Sequence, residues 1–211
     1  MFSVCYLLAH AGYPSSVSVG DVIEINGHKA IVFQTDDGIH GTAMSVKAPR
    51  GIDSPWCNNG KIAKKIPLIS DTKDGFSNTL QLIQFAKDKN CLHNFPAFQW
   101  CQKLGEGWYI PSVKELESFI NYWLGNEEVL DWDDEVEQEI DSSKPFYKNV
   151  NEILLDAGGT PFINGVYTST VNADGKVYIF NYDRNKNTWS FKLKPKTNLG
   201  QDCVGRAFIK F

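Results

Sequence analysis

One stretch constrains the fold more than any other, because it packs two helical patterns and many aromatic side chains into residues 95 to 123. It reads FPAFQWCQKLGEGWYIPSVKELESFINYW. Its first apolar set has the i, i+3, i+4, i+7 spacing of one helical face: Ala97, Trp100, Cys101 and Leu104. Gly105 and Gly107 follow, and glycine is the usual residue where a helix ends. We expect a first helix over 97–104.

A second helix follows over 112–123. Trp108 to Ile110 form a short apolar run, and Ser112 and Glu115 then have the Ser-x-x-Glu spacing of a capping box. The apolar face of this helix consists of Leu116, Phe119, Ile120 and Trp123. Apolar stripes at helical spacing usually pack into a core, so the stretch predicts a core and not a site.

The segment before this stretch predicts strands, a long loop and a helix. Residues 17–47 alternate in hydrophobicity around Asn26-Gly27, the strongest two-residue hairpin signal, and form a β-meander. Residues 48–75 are rich in Pro and Gly and predict a long loop, in which Trp56 is a core anchor or a ligand platform. Residues 76–90 predict a helix capped by Ser77 or Asn78. Its predicted apolar side is Leu80, Ile83, Phe85 and Ala86.

The last third of the chain predicts a short helix and four strands. The helix covers 151–156 and ends at Gly158-Gly159. The strands cover 166–171, 176–182, 188–194 and 203–211, with hairpin loops at 172–175 and 183–187. Alternation along the second strand puts Tyr178 and Phe180 on one face and Val177 and Ile179 on the other. We therefore predict an α+β fold, with the helices packed on an antiparallel sheet built from these closing strands.

Composition narrows the class of partner. The chain has 211 residues, a formal net charge of −4 and a pI near 5.6, which argue against general nucleic-acid binding. Lys192, Lys194 and Lys196 form a local basic patch or an ordinary solvated strand face. No apolar run has the length of a membrane span. Residues 1–16 are a truncated signal peptide or leader, or else a first strand, and residues 17–211 are a single domain.

Titratable residues give few signs of a metal or catalytic site. The five cysteines contain no C-x-x-C pair, and the four histidines have no metal-ligand spacing. We therefore expect no cofactor and no metal. The stretch 131–141 is dense in carboxylates: Asp131, Asp133, Asp134, Glu135, Glu137, Glu139 and Asp141. It is a solvated acidic segment, or a calcium site with only partial alternation of ligands and no central glycine.

Three segments carry a resemblance to a known family: PAFQWCQKLGEGWYIPSVKELESFINYWL, LLDAGGTPFINGVYTSTV and VGRAFIKF, in that order. They resemble secreted gut-bacterial proteins with a C-type-lectin-like fold. That fold is shared with the formylglycine-generating enzyme superfamily and with receptor-binding proteins diversified by retroelements. The resemblance covers about Val19 to Phe211. It implies an α+β domain with helices on a small twisted antiparallel sheet, and long loops that present a binding surface.

The resemblance also implies site residues in the last strands and their loops. The matching positions are Tyr178, Asn181, Tyr182, Asp183, Asn185, Asn187, Trp189, Ser190 and Asn198. It further implies a long-range bridge between Cys101 and Cys203, which would otherwise be buried thiols. The sequence lacks the Glu-Pro-Asn, Gln-Pro-Asp and Trp-Asn-Asp motifs of calcium-dependent lectins. It also lacks the paired carboxy-terminal cysteines of the formylglycine-generating enzymes.

Two functions of different classes follow. The first is a secreted or surface-exposed bacterial recognition module, which binds a protein or glycan through the late hairpins without a lectin-type calcium motif. Rigid aromatic residues and short polar side chains suit such a surface. The second is a hydrolase-type enzyme that uses carboxylates of the 131–141 stretch. Converging carboxylates in a cleft would favour the enzyme, and a surface of Tyr, Trp and Asn would favour the binding module.

Overall fold

The computed structural model describes residues 16–49, 55–124, 138–139, 146–162, 165–183, 188–197 and 203–211. The described residues form an α+β structure with two four-stranded antiparallel sheets. The elements are β1 (Val22–Ile25), β2 (His28–Thr35), β3 (Gly41–Ser45), α1 (Gly60–Ala63), α2 (Gly75–Asp88), a 3₁₀ turn (Leu92–Asn94), α3 (Pro96–Leu104), α4 (Val113–Leu124), β4 (Gln138–Glu139), α5 (Phe146–Asp156), β5 (Val166–Val171), β6 (Lys176–Asp183), β7 (Thr188–Pro195) and β8 (Phe208–Lys210). No helix among these residues is both long and apolar enough to cross a membrane.

The first sheet has the order β1-β2-β3-β8. The predicted hairpin at Asn26-Gly27 is confirmed: both residues have positive φ, 54° and 77°, as a type I′ turn requires. The predicted closing strand over 203–211 was wrong in length and place. Within this range only the three residues of β8 form a strand. This strand pairs with β3 instead of with the other closing strands. An alternating apolar pattern identifies a strand but carries no information about which neighbour it will pair with.

The second sheet has the order β4-β7-β6-β5, and its strands β5, β6 and β7 match the predicted ranges closely. β6 separates two cores. Val177 and Ile179 belong to one core cluster, while Phe180 belongs to the other, against which Tyr178 also packs. The predicted alternation of faces along this strand is therefore confirmed. Helices α2 and α4 pack against β5, and α4 also contacts β2, so α4 bridges both sheets.

The start of α2 differs from the prediction. Its N-cap is Asp74, whose carboxylate accepts the backbone N–H of Ser77 at 2.9 Å. Asn78 lies inside the helix and is fully buried. Its side-chain amide donates to the carbonyl oxygen of Asp71 and to the hydroxyl of Ser169, which satisfies this polar group in the core. The predicted apolar side is also shifted, since Leu80 is 49% exposed and Leu82 is buried.

Helices α3 and α4 confirm the two helices predicted within residues 95–123. Ala97, Cys101 and Leu104 are buried, while Trp100 is only partly buried at the edge of the first core. The predicted face of α4 is completely buried: Leu116, Phe119, Ile120 and Trp123. The carboxylate of Glu115 accepts the backbone N–H of Ser112 at 2.9 Å, and the Ser112 hydroxyl accepts that of Glu115 at 3.3 Å. This reciprocal pair is the predicted capping box.

The long loop over 48–75 contains the short helix α1, which the sequence pattern did not predict. Trp56 is a core anchor in this loop: it is fully buried, packs edge-on against Phe95 and Phe98, and donates from Nε1 to the Thr168 carbonyl at 2.9 Å. The described cysteines are Cys57, Cys91, Cys101 and Cys203, and all are buried thiols, so Cys101 and Cys203 are not bridged.

The last nine residues join the two sheets. Val204 pairs with Val166 of β5, and Phe208 pairs both with Met44 of β3 and with Tyr109. Between these strands, the fully buried Arg206 donates to four backbone carbonyl oxygens: Ser45, Val46, Thr160 and Pro161. Burial lowers the pKa of Arg206 to about 9, which leaves the guanidinium charged at neutral pH. The chain end therefore acts as a buried cross-link between the sheets.

Candidate functional site

The structure divides the predicted binding residues between two environments. Tyr178 is partly buried and packs against the second core, and Thr168 donates its hydroxyl to the Tyr178 carbonyl at 3.1 Å. Ser190 is 2% exposed. Asn181 is half-buried and pairs directly with Ser190 across β6 and β7. Ser190 is therefore inaccessible to a ligand without rearrangement of the core, whereas Asn181 and Tyr178 are both partly exposed.

Three further predicted positions, Tyr182, Asp183 and Trp189, lie at the end of the β6–β7 hairpin. Backbone pairing joins Tyr182 to Trp189 and Asp183 to Thr188, which are the last two pairs before the connecting loop. Asn185, Asn187 and Asn198 lie outside the described residues. The hairpin thus brings the predicted positions of β6 and β7 to one end of the second sheet.

The end of the acidic stretch reaches the same hairpin. The two residues of β4, Gln138 and Glu139, pair antiparallel with Trp189 and Thr188. Most carboxylates of this stretch lie outside the described residues: Asp131, Asp133, Asp134, Glu135, Glu137 and Asp141. The two segments that the sequence offered as alternative sites are therefore neighbours along β7, which local sequence patterns did not indicate.

Metal-ligating groups do not converge within the described part of the chain. No group of three His, Cys, Asp or Glu side chains there could hold a metal ion. The exposed pair at the β2–β3 turn is a local contact, in which His40 Nδ1 lies 2.7 Å from Asp37 Oδ2. The carboxylate of Asp37 also accepts the backbone N–H groups of Ile39 and His40, so it serves to order the turn.

A polar cleft lies at a different place, between the first sheet and the beginning of α4. Its volume is about 130 Å³, and its lining residues are Phe33, Gln34, Thr42, Lys73, Lys114, Glu115 and Ser118. Gln34 pairs with Thr42, and Thr42 pairs with Lys210, so three polar residues form one row across β2, β3 and β8. No local sequence pattern indicated this site, because the row depends on the pairing of β8 with β3.

Glu115 is the central carboxylate of this region. Its Oε2 accepts the N–H groups of Gly75 and Ser112, at 3.0 and 2.9 Å, and its Oε1 accepts the Tyr109 hydroxyl at 2.9 Å. Lys210 Nζ lies 3.5 Å from Oε1. Burial, together with the charge of Glu115, raises the pKa of Tyr109 well above its usual range. This carboxylate is saturated with hydrogen bonds and is part of the framework.

Comparison with known proteins adds no family to this description. No protein-family model matches the chain, and no curated protein or solved structure is significantly similar to it.

Proposed function

We propose that this chain is a recognition module with a C-type-lectin-like fold, secreted or exposed at a bacterial surface. It binds a protein or glycan ligand through the end of the β6–β7 hairpin and requires no lectin-type calcium motif. The observation that carries the proposal is the β6–β7 ribbon, whose two strands of eight residues pair in register from Lys176↔Pro195 to Asp183↔Thr188.

The ribbon is a rigid support for the loop at its end. On one face, Ile179 is buried in the first core, and on the other, Phe180 and Phe191 are buried in the second. Binding residues are often mounted on loops that a rigid scaffold positions. Because the core fixes the ribbon from both sides, the loop that joins Asp183 to Thr188 starts and ends at well-defined positions.

The residue types near this end also favour recognition. Positions 181–190 contain aromatic, amide and hydroxyl side chains, and such residues give contact area and adaptable hydrogen bonds. The resemblance of the sequence to C-type-lectin-like proteins points to the same strands and loops. A protein or a glycan ligand suits this chemistry equally.

The alternative is a hydrolase-type enzyme that uses carboxylates of the 131–141 stretch. The observation in its favour is the pairing of β4 with β7, which holds the end of the acidic stretch beside the hairpin. General acid–base catalysis needs a side chain within hydrogen-bond reach of the proton that it transfers. The two functions therefore predict different residues at the same end of the second sheet.

The test begins with glycan and protein arrays probed with the purified chain. Two variants then separate the functions: Asn181→Ala/Asn185→Ala/Asn187→Ala in the hairpin, and Asp131→Asn/Asp133→Asn/Asp134→Asn in the acidic stretch. Asp174→Ala, in the exposed turn at the opposite end of β6, is the matched control. Tyr178 and Ser190 are left unchanged, because their burial would confuse loss of binding with loss of folding.

The hairpin variant should lose at least tenfold in affinity for the ligand found on the arrays, while its unfolding midpoint and the binding of the control stay unchanged. If only the acidic variant loses binding, or if that variant abolishes hydrolysis of an array ligand, the enzyme alternative replaces this proposal. Failure of any array ligand to bind the native chain also argues against a recognition module.

A further inference from the structure

The polar cleft between the first sheet and α4 has walls from parts of the chain that are distant in sequence. Gln34, Thr42 and Lys210 form the cross-strand row on the sheet. Lys114 and Ser118 come from the first turns of α4, and Lys73 comes from the segment before α2. Phe33 is 5% exposed and gives the cleft an apolar floor.

The carboxylates around the cleft are occupied by partners within the fold. Glu115 accepts hydrogen bonds from Gly75, Ser112 and Tyr109. Glu117 is 3% exposed and lies 2.9 Å from the ammonium of Lys114. Glu115 lines the cleft, but its charge is matched by these donors and by Lys210, and the charge of Glu117 is matched by Lys114. Repulsion of an anion that enters the cleft is therefore reduced.

Two accessible ammonium groups lie at or beside the cleft: Lys73 lines it, and Lys210 is the cross-strand neighbour of the lining residue Thr42. Lys73 is exposed, and among the described residues it has no carboxylate within ion-pair distance. The side chain of Lys210 is 58% exposed, and its contact with Glu115 is long, at 3.5 Å. Because the contact is long and the Glu115 carboxylate has three other donors, Lys210 can turn toward another anion at small cost.

We propose that this cleft binds an acidic sugar, that is, a six-membered ring that carries a carboxylate or a sulfate group. An enclosed cavity of about 150 Å³ holds benzene, and an acidic hexose is larger than benzene. The cleft, of about 130 Å³, therefore takes up the acidic group and one edge of the ring. The acidic group contacts Lys73 and Lys210. The ring hydroxyls contact the amide of Gln34 and the hydroxyl groups of Thr42 and Ser118, which both donate and accept hydrogen bonds.

This site is separate from the β6–β7 hairpin, because its residues come from the first sheet, α4 and the segment before α2. The inference therefore goes beyond the proposed function and does not depend on it. Loss of binding in the hairpin variant would leave the cleft intact, and loss of cleft binding would leave hairpin recognition intact.

The experiment is a ¹H–¹⁵N NMR titration of the native chain with glucuronate, glucose 6-sulfate, neutral glucose and inorganic sulfate. We expect both acidic sugars to shift the amide signals of residues that line the cleft, and to bind at least tenfold more tightly than glucose or sulfate. Affinity should fall as salt is raised, because the rim charges are exposed. The two acidic sugars distinguish a carboxylate from a sulfate as the preferred group.

Variants test which groups carry the binding. Lys73→Gln/Lys210→Gln should weaken both acidic sugars at least tenfold, while the matched control Lys64→Gln/Lys103→Gln, at exposed lysines elsewhere, should not. Ser118→Phe retains every charge but fills the cleft from an exposed position on α4, and should also weaken binding. Thermal unfolding checks that each variant folds.

Three results would overturn the proposal. The first is that the acidic sugars bind no more tightly than glucose. The second is that folded Lys73→Gln/Lys210→Gln and folded Ser118→Phe both bind as the native chain does. The third is that inorganic sulfate binds as tightly as the acidic sugars, which would leave the ring without a role.

Discussion

The carboxylate of Glu115 accepts the backbone N–H of Gly75 at 3.0 Å. The glutamate of the α4 capping box therefore also holds the first residue of α2. The same oxygen accepts the N–H of Ser112 at 2.9 Å. Each helix has the positive end of its dipole at this point, and a negative charge stabilises both ends. One side chain therefore fixes the relative position of two helices that begin far apart in the sequence.

Gly75 should tolerate no side chain, because Glu115 approaches its backbone so closely. A Cβ atom at Gly75 would overlap the backbone nitrogen of Ser112, the Glu115 carboxylate and the Ile110 carbonyl. We expect Gly75→Ala to lower the free energy of unfolding by about 3 kcal/mol, the upper end of typical overpacking costs. The loss should exceed the roughly 1 kcal/mol by which helix propensity favours Ala over Gly.

Urea unfolding measures this effect, and Gly60→Ala is the matched control. Gly60 is also the first residue of a helix, and a Cβ atom there would meet nothing within 4 Å. The control should be neutral or slightly stabilising. Equal unfolding midpoints for the two variants would contradict the close approach of Glu115 to Gly75.

The capping box of α4 predicts a smaller loss. Ser112→Ala removes the oxygen that accepts the N–H of Glu115, and should cost about 1 kcal/mol of stability. Ser118→Ala is the control on the same helix, because the exposed Ser118 hydroxyl donates only to the Lys114 carbonyl within the helix. An unchanged midpoint for Ser112→Ala in urea unfolding would show that the cap is not stabilising.

The features that the sequence predicted well depend on neighbouring residues. Ser112 and Glu115 are three residues apart, and Asn26-Gly27 needs only its own positive φ values, so a local pattern was sufficient for each. The same holds for β6, because alternation along one strand separates Val177 from Tyr178.

The features that the sequence did not predict depend on contacts between distant segments. The apolar pattern of the last residues indicated a strand, but its pairing with β3 follows from hydrogen bonds of Arg206 and Phe208 to segments far from them in the chain. The cleft row exists only through that pairing. Asp74, and not Ser77 or Asn78, caps α2. The Asn78 side chain instead donates hydrogen bonds to Asp71 and to Ser169, and Ser169 is distant from the helix in sequence.

Arg206 should be one of the most sensitive positions for stability. Arg206→Met leaves the carbonyl oxygens of Ser45, Val46, Thr160 and Pro161 without their donor, and hydrogen bonds to a charged group are worth about 1.5–3 kcal/mol each. The release of a buried charge offsets part of this loss. We expect a net cost of about 3 kcal/mol in urea unfolding.

Lys103→Met is the matched control for this substitution. Lys103 is exposed in the last turn of α3, so the same change from a long cation to Met should shift the free energy of unfolding by less than about 0.5 kcal/mol. Comparable losses in both variants would show that Arg206 does not join the sheets. A more stable Arg206→Met would show that the cost of burying its charge outweighs its hydrogen bonds.

The turn between β2 and β3 makes a prediction about pH. The backbone N–H of His40, then its imidazole and the backbone N–H of Ile39, hold the pKa of Asp37 well below its ordinary value of 3.8. This carboxylate therefore contributes stability that is present above about pH 3.8 and is lost as the pH falls toward the lower folded-state value.

In His40→Ala, the pKa of Asp37 should rise but stay below 3.8, since the backbone donors remain. A ¹³C NMR titration of the Asp37 carboxyl carbon measures both values. An ordinary pKa in the native chain, or no change in His40→Ala, would show that these hydrogen bonds do not hold the carboxylate in its charged form.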